Sequence, residues 1–338
     1  MSKVYFKRYE GNDTAVLSKL AKEMLIQLVE KDGATLEENV PIKVHFGEKG
    51  NKTFIPASSY DGIIDYLEDN NRETTFIETN VLYRGSRTTR DNHLALAKEH
   101  GFTRKPIIIA DGDMGEAVQE VVINKEYFKS VKLGAAFNEY KQIIVMSHFK
   151  GHGLAGFGGA LKQLAMGFAS RSGKMAQHSR MVPTVNGSNC ISCGVCVKKC
   201  DVDAITITDV AAIDGSKCIG CAGCIAVCPV GAIRNDWGAA NFREKITEYA
   251  YGAQLNKSHL YISFMTNITK DCDCIGEEMH PVAKNFGVLA SLDPVALDTA
   301  CIDLLQAEEH VDLFDNGRDS LVHAKHIQFG EKYELITL

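Results

Sequence analysis

Residues 143–167, IIVMSHFKGHGLAGFGGALKQLAMG, decide how the chain is read. The apolar run IIVM, closed by a glycine-rich stretch, has the length and composition of a buried strand. GGALKQLAMG then carries apolar residues at helical spacing. Strand, glycine loop and helix in this order form the repeating unit of a layered α/β protein. The same alternation continues outward on both sides. VYF, PIKVHF, ETTFIET and PIIIADG read as strands, separated by helical TAVLSKLAKEMLIQLVEK, IPASSYDGIIDYLEDN and TTRDNHLALAKEHGF. Downstream, NFREKITEYAYGAQL reads as helix, HLYISFM as strand, and SLDPVALDTACIDLLQ as a helix with Asp293 as N-cap and Pro294 at its first position. The expectation is an α/β body with a layered, mainly parallel sheet, carried by residues 1–184 and 236–338 and interrupted by a small α+β insertion at 185–235.

A chain of 338 residues is long enough to bury about 75% of its unfolded surface. No apolar run of signal-peptide or membrane-span length occurs, so a soluble, cytoplasmic protein with no membrane contact is expected. The net charge of -6 argues against a nucleic-acid partner, because that affinity is carried by Lys and Arg on phosphates. The charge is uneven, however. From Tyr140 to Cys200 there is no Asp or Glu, while Lys141, Lys150, Lys162, Arg171, Lys174, Arg180, Lys198 and Lys199 all fall there. Such a span implies an anion nearby: a small ligand, a cofactor phosphate, an acidic partner or a metal cluster.

The insertion holds eight of the eleven cysteines. CISCGVCVKKC, from Cys190, and CIGCAGCIAVC, from Cys218, repeat with a period of 28 residues, each as C-x2-C-x2-C-x3-C. This is the spacing of bacterial two-cluster ferredoxins, in which the fourth cysteine ligates the other cluster. Two 4Fe-4S clusters are therefore expected, the first on Cys190, Cys193, Cys196 and Cys228 and the second on Cys218, Cys221, Cys224 and Cys200. Structural zinc would need only pairs of cysteines. The first motif departs from the pattern at Cys200-Asp201, where the second has Cys228-Pro229.

Clusters of this kind conduct electrons, and a carrier alone needs far fewer residues than this chain has. The glycine loop is the candidate terminus. A helix start there, with Lys150, Gly156, Gly158, Gly159 and Lys162, suits an anion such as a flavin phosphate, although no Walker loop is matched and a tight structural turn is the alternative. His148, His152 and Lys162 are candidate catalytic residues, the histidines as acid and base. Cys272 and Cys274 could bind an additional metal together with His45, or form a redox disulfide. Cys301 reads as core, and Trp237 as a seal at the domain junction.

With IKVHFGEKGN, LYRGSRTTRDNHLALAKEHGF, SHFKGHGLAGFGGALKQLAMG, both cysteine motifs, ITKDCDC and GVLASLDPVALDTACID assembled, the chain resembles the domain-of-unknown-function family numbered 362, iron–sulfur centre proteins with an inserted two-cluster ferredoxin module. The resemblance spans nearly the whole chain and implies a cytoplasmic, anaerobic redox protein. Three functions fit. One is a redox enzyme that passes electrons through two 4Fe-4S clusters to a cofactor or substrate near residues 148–162. The others are an electron carrier whose body docks a partner enzyme, and a cluster-stabilised metal or nucleotide sensor. A redox partner protein is implied by the first two.

Overall fold

The computed structural model describes residues 1–178, 182–218, 220–235, 241–309 and 314–338. Trp237, expected at the domain junction, lies outside them. The body is built on an eight-stranded sheet: β1 (Ser2–Arg8), β2 (Ile42–Lys43), β3 (Phe76–Glu78), β4 (Ile107–Ile109), β5 (Ile144–His148), β6 (Leu260–Met265), β7 (Gly287–Ser291) and β8 (Tyr333–Thr337). The spatial order is β4-β3-β2-β5-β6-β7-β1-β8. Only β7 runs against the rest, pairing antiparallel with both β1 and β6; every other pairing is parallel. The sheet is thus mainly parallel, as the alternation of strands and helices predicts.

Side-chain alternation splits the core into two layers. Val145, Tyr261 and Leu289 point into one apolar cluster, and their neighbours Ile144, Met146, Ile262 and Ala290 into the other. The helices α1 (Thr14–Ile26), α2 (Asp61–Asp69) and α3 (Arg90–Glu99) cover the second face. The first face is covered by α4 (Ala160–Phe168), α5 (Phe242–Gln254), α6 (Pro294–Glu309) and α7 (Arg318–His326). Both layers are needed because a parallel sheet exposes apolar side chains on each face. Asp293 caps α6, its Oδ1 accepting from Val295 N at 2.9 Å and Ala296 N at 3.0 Å. Its other oxygen accepts from Ser2 Oγ and Glu331 N, which ties the helix to both chain ends. The stretch read as a glycine loop contains a short hairpin, Lys150–His152 against Gly156–Gly158, that periodicity did not foresee.

From β2 the chain winds outward to β3 and β4; from β5 it winds the opposite way to β6 and β7. The boundary between β2 and β5 is a topological switch point, where strand carboxyl ends leave a crevice.

The cysteine-rich insertion is a duplicated unit in structure as well as sequence. Thr184–Val185 pairs with Ile233–Arg234, and Ile205–Ile207 with Ala211–Ile213, so each repeat completes the hairpin of the other. Left-handed backbone recurs at the same period: Ser192 and Gly220, Gly194 and Ala222, Asp203 and Gly231. Equivalent N–H···S bonds follow, Ala204 N to Cys200 Sγ and Ala232 N to Cys228 Sγ, both 3.2 Å.

His259 anchors the start of β5 from within the core. Its Nδ1 accepts from Ile143 N at 3.0 Å and its Nε2 faces Ala253 O at 3.3 Å, a pairing for the neutral ring. Burial lowers it from the ordinary 6.5 to about 3. The unfolded chain therefore binds more protons between these values, and stability is expected to fall as pH drops below 6.5, by up to about 1.4 kcal/mol per pH unit from this group. Urea midpoints measured across that range should decline toward acid, and His259→Gln should flatten the slope.

Candidate functional site

The strand ends at the switch point open into a cavity of about 470 Å³. It takes His45 from beyond β2, Glu78 and Thr79 from β3, Ser147 and His148 from β5, and Cys272 and Cys274 from the loop after β6. The glycine hairpin and α4 close it with His152, Gly158, Gly159 and Lys162. Segments far apart in sequence meet here because parallel strands deliver their carboxyl ends to one edge.

Asp273 organises the wall. Its buried carboxylate lies 2.9 Å from both His148 Nδ1 and Lys150 Nζ. His148 Nε2 faces Thr266 O at 2.7 Å, so the ring is held at both nitrogens. Burial alone would raise Asp273, but His148 and Lys150 hold it well below its ordinary value. His148, a candidate acid or base by sequence, is thereby committed to this pairing. Lys150 also donates to His148 O at 2.9 Å.

The two cysteines flank Asp273 and face the cavity. Lys162 Nζ stands 2.8 Å from Cys272 Sγ. A hydrogen bond from Cys274, followed by the Lys162 charge, holds Cys272 well below the ordinary 9.0 against the effect of burial, while Cys274 is raised by the same hydrogen bond. Lys162 beside Cys272 favours the thiolate there rather than at Cys274. His152, Cys272 and Cys274 bring one donor atom each within 4.8 Å of one another. His45, expected as the partner of the cysteines, is held elsewhere. Arg87 Nη1 lies 3.1 Å from its Nε2, and Gly47 N donates to its Nδ1 at 3.1 Å. Burial, then Arg87, lowers His45 well below 6.5.

Three parts of this wall escaped sequence reading. Glu48 accepts from Arg87 Nε and from Tyr83 Oη, fixing the LYRGSRTT loop over the cavity. Lys43 and Glu78 form a buried ion pair at 2.8 Å. Lys174, on the helix Arg171–His178, donates to Thr79 Oγ1 and Ala169 O. Only Lys174 had a signal in the sequence, the excess of cations between Tyr140 and Cys200, whose acidic counterparts lie in other segments. Lys150 meets Asp273, Lys162 meets Cys272, and Lys174 is drawn to Asp111.

The start of α4, expected to seat an anion, is occupied by a carboxylate of the protein. Asp298 accepts from Ala160 N at 2.7 Å and Leu161 N at 2.8 Å. A Cβ at Gly159 would overlap that carboxylate, and at Gly156 (φ +82) it would strike the Gly317 backbone, so these glycines admit neighbouring chain. Burial pushes Asp298 up to about 7 against these two N–H bonds. Asp298→Ala would leave both amides buried without an acceptor, an expected loss of about 3 kcal/mol in denaturant unfolding, with Asp298→Asn intermediate.

A small second cavity is lined by Cys190, Cys193, Cys196 and Cys228. Burial raises the Cys224 thiol, and Cys221, Cys218 and Cys196 add to the rise. Among the described residues no helix is long and apolar enough to cross a membrane.

In solved structures, the chain is similar to a protein from Thermotoga maritima, with a TM-score of 0.46 and 11% identity over 88% of this chain and 60% of that one. It is also similar to the lactate racemase apoprotein from Thermoanaerobacterium thermosaccharolyticum, with a TM-score of 0.41 and 13% identity over 78% of this chain and 50% of that one. The chain spans about half to three fifths of the length of these two proteins. Comparison with curated proteins gives no match. Residues 40–303, from just before β2 to the middle of α6, match the family described as "Domain of unknown function (DUF362)", and the chain belongs to that family.

Proposed function

We propose that the chain is an iron–sulfur redox protein that delivers electrons to a reaction in the cavity at the β2/β5 switch point. The module would hold two 4Fe-4S clusters, one on Cys190, Cys193, Cys196 and Cys228 and the other on Cys218, Cys221, Cys224 and Cys200. When bound, such clusters supply single electrons at low cost in nuclear rearrangement. The donor set fits them: eight thiols in a duplicated fold, with backbone N–H groups turned to Cys200 and Cys228.

The observation that carries this reading is Leu82. It lines the cavity and also belongs to the buried apolar cluster that contains Cys196, Cys224 and Cys228. One side chain thus touches both the module and the reaction chamber. Neighbouring groups fix that junction: Arg171 donates to Val81 O and lies near Cys221, and Arg84 donates to Pro229 O at 2.9 Å. Ile191, Val195 and Val230 are exposed around the first cysteine group, a face suited to a protein reductant. Within the cavity Cys272 is buried and Lys162 Nζ lies against its sulfur.

Protein purified without oxygen is expected to carry about eight irons and about eight sulfides per chain and a broad visible absorption that bleaches with dithionite. Cys193→Ala should remove about half of both. Iron-free protein, or iron without acid-labile sulfide, would overturn the reading.

A further inference from the structure

Asp273 is turned inward to His148 and Lys150, which presents Cys272 and Cys274 together at the cavity wall. With His152 they could serve as three ligands of a metal whose fourth position opens on the cavity, or as a dithiol with one sulfur ionised. His152 separates the two. A ligating histidine offers one ring lone pair to the metal and donates its other ring N–H to an acceptor. Here His152 Nδ1 faces two donors, Ala155 N at 3.0 Å and Leu154 N at 3.3 Å, so it accepts and the neutral ring carries its proton on Nε2. No lone pair is left for a metal. The charge beside Cys272 is instead the Lys162 ammonium, 2.8 Å away.

We propose that Cys272 and Cys274 form a dithiol–disulfide redox centre, with Cys272 as the attacking sulfur and a low-molecular-weight disulfide, admitted to the cavity, as the substrate. For its electrons the centre rests on the redox reading above. The Cys272 thiolate attacks one sulfur of the substrate, the substrate S–S bond breaks, and a mixed disulfide forms on Cys272. The departing thiolate takes the proton of Cys274. The Cys274 thiolate then attacks Cys272 Sγ, forming the intramolecular disulfide and expelling the second thiolate, which is protonated by water. Two electrons supplied through the module, with one proton, restore the thiolate and thiol. The net change is one substrate disulfide, two electrons and two protons giving two thiols. Thiol–disulfide exchange requires no metal or flavin, and a cavity of about 470 Å³ suits a small molecule rather than a folded protein. The pair also solves a counting problem, since it stores two electrons from a source that supplies them singly.

The test uses the full chain, purified without oxygen, with hydroxyethyl disulfide as probe and peptide mass spectrometry as readout. Cys274→Ser should accumulate a stable mixed disulfide on Cys272, whereas Cys272→Ser should form none at Cys274. The wild type should release two thiols per chain and yield the Cys272–Cys274 disulfide, which dithionite-reduced protein should reopen. Lys162→Met should slow adduct formation about tenfold, and Lys162→Arg should restore most of the rate, with iron and sulfide counts unchanged as the control for folding. Attack by Cys274, adducts spread over all cysteines, or one tightly bound non-cluster metal per chain that is lost in Cys272→Ser would overturn the proposal. The two readings fail separately. Iron-free protein that still forms the Cys272 adduct sinks the redox reading and supports the exchange, while iron-loaded protein with an inert Cys272 does the reverse.

Discussion

The site depends on one buried carboxylate. Asp273 takes charge from His148 and Lys150, residues at the end of β5, and so fastens the loop after β6 to the neighbouring strand. Removing charges from water is expensive, and a pair of this kind persists only when each member is matched and hydrogen-bonded. That requirement fixes the loop more narrowly than packing would. With Asp273 locked inward, its two neighbours in sequence have little choice of direction, and the dithiol geometry follows from the ion pair between them.

The surrounding wall repeats the device. Lys43 with Glu78 and Arg87 with Glu48 are further buried pairs around the same crevice. The first joins β2 to β3 and the second joins the segments that follow them, so the cavity is held by charge matching across the strand ends rather than by apolar contact alone. A site built in this way keeps its polar groups oriented before a ligand arrives, which lowers the reorganisation any reaction must meet.

Much of the fold was legible in the sequence. The strand–glycine–helix unit at 143–167 and the alternation on either side specify a mainly parallel sheet because side-chain periodicity is a local property. The Asp293-Pro294 helix start was readable for the same reason, and the cysteine repeat was readable from spacing alone. What escaped was non-local. No periodicity states that β7 is reversed, that His152 rather than His45 approaches the cysteines, or that Asp298, 138 residues away, fills the start of α4. The glycines suggested room for a ligand, yet at Gly156 and Gly159 the space is taken by Gly317 and Asp298. Sequence shows that a close approach occurs, while only the fold shows what approaches.

Val185 and Ile233 are register partners in antiparallel strands, so the segment between them starts and ends at one place. To the α/β sheet, some fifty inserted residues are equivalent to a hairpin turn. The eight-stranded sheet takes no strand from between these two partners, so its order is independent of what lies there.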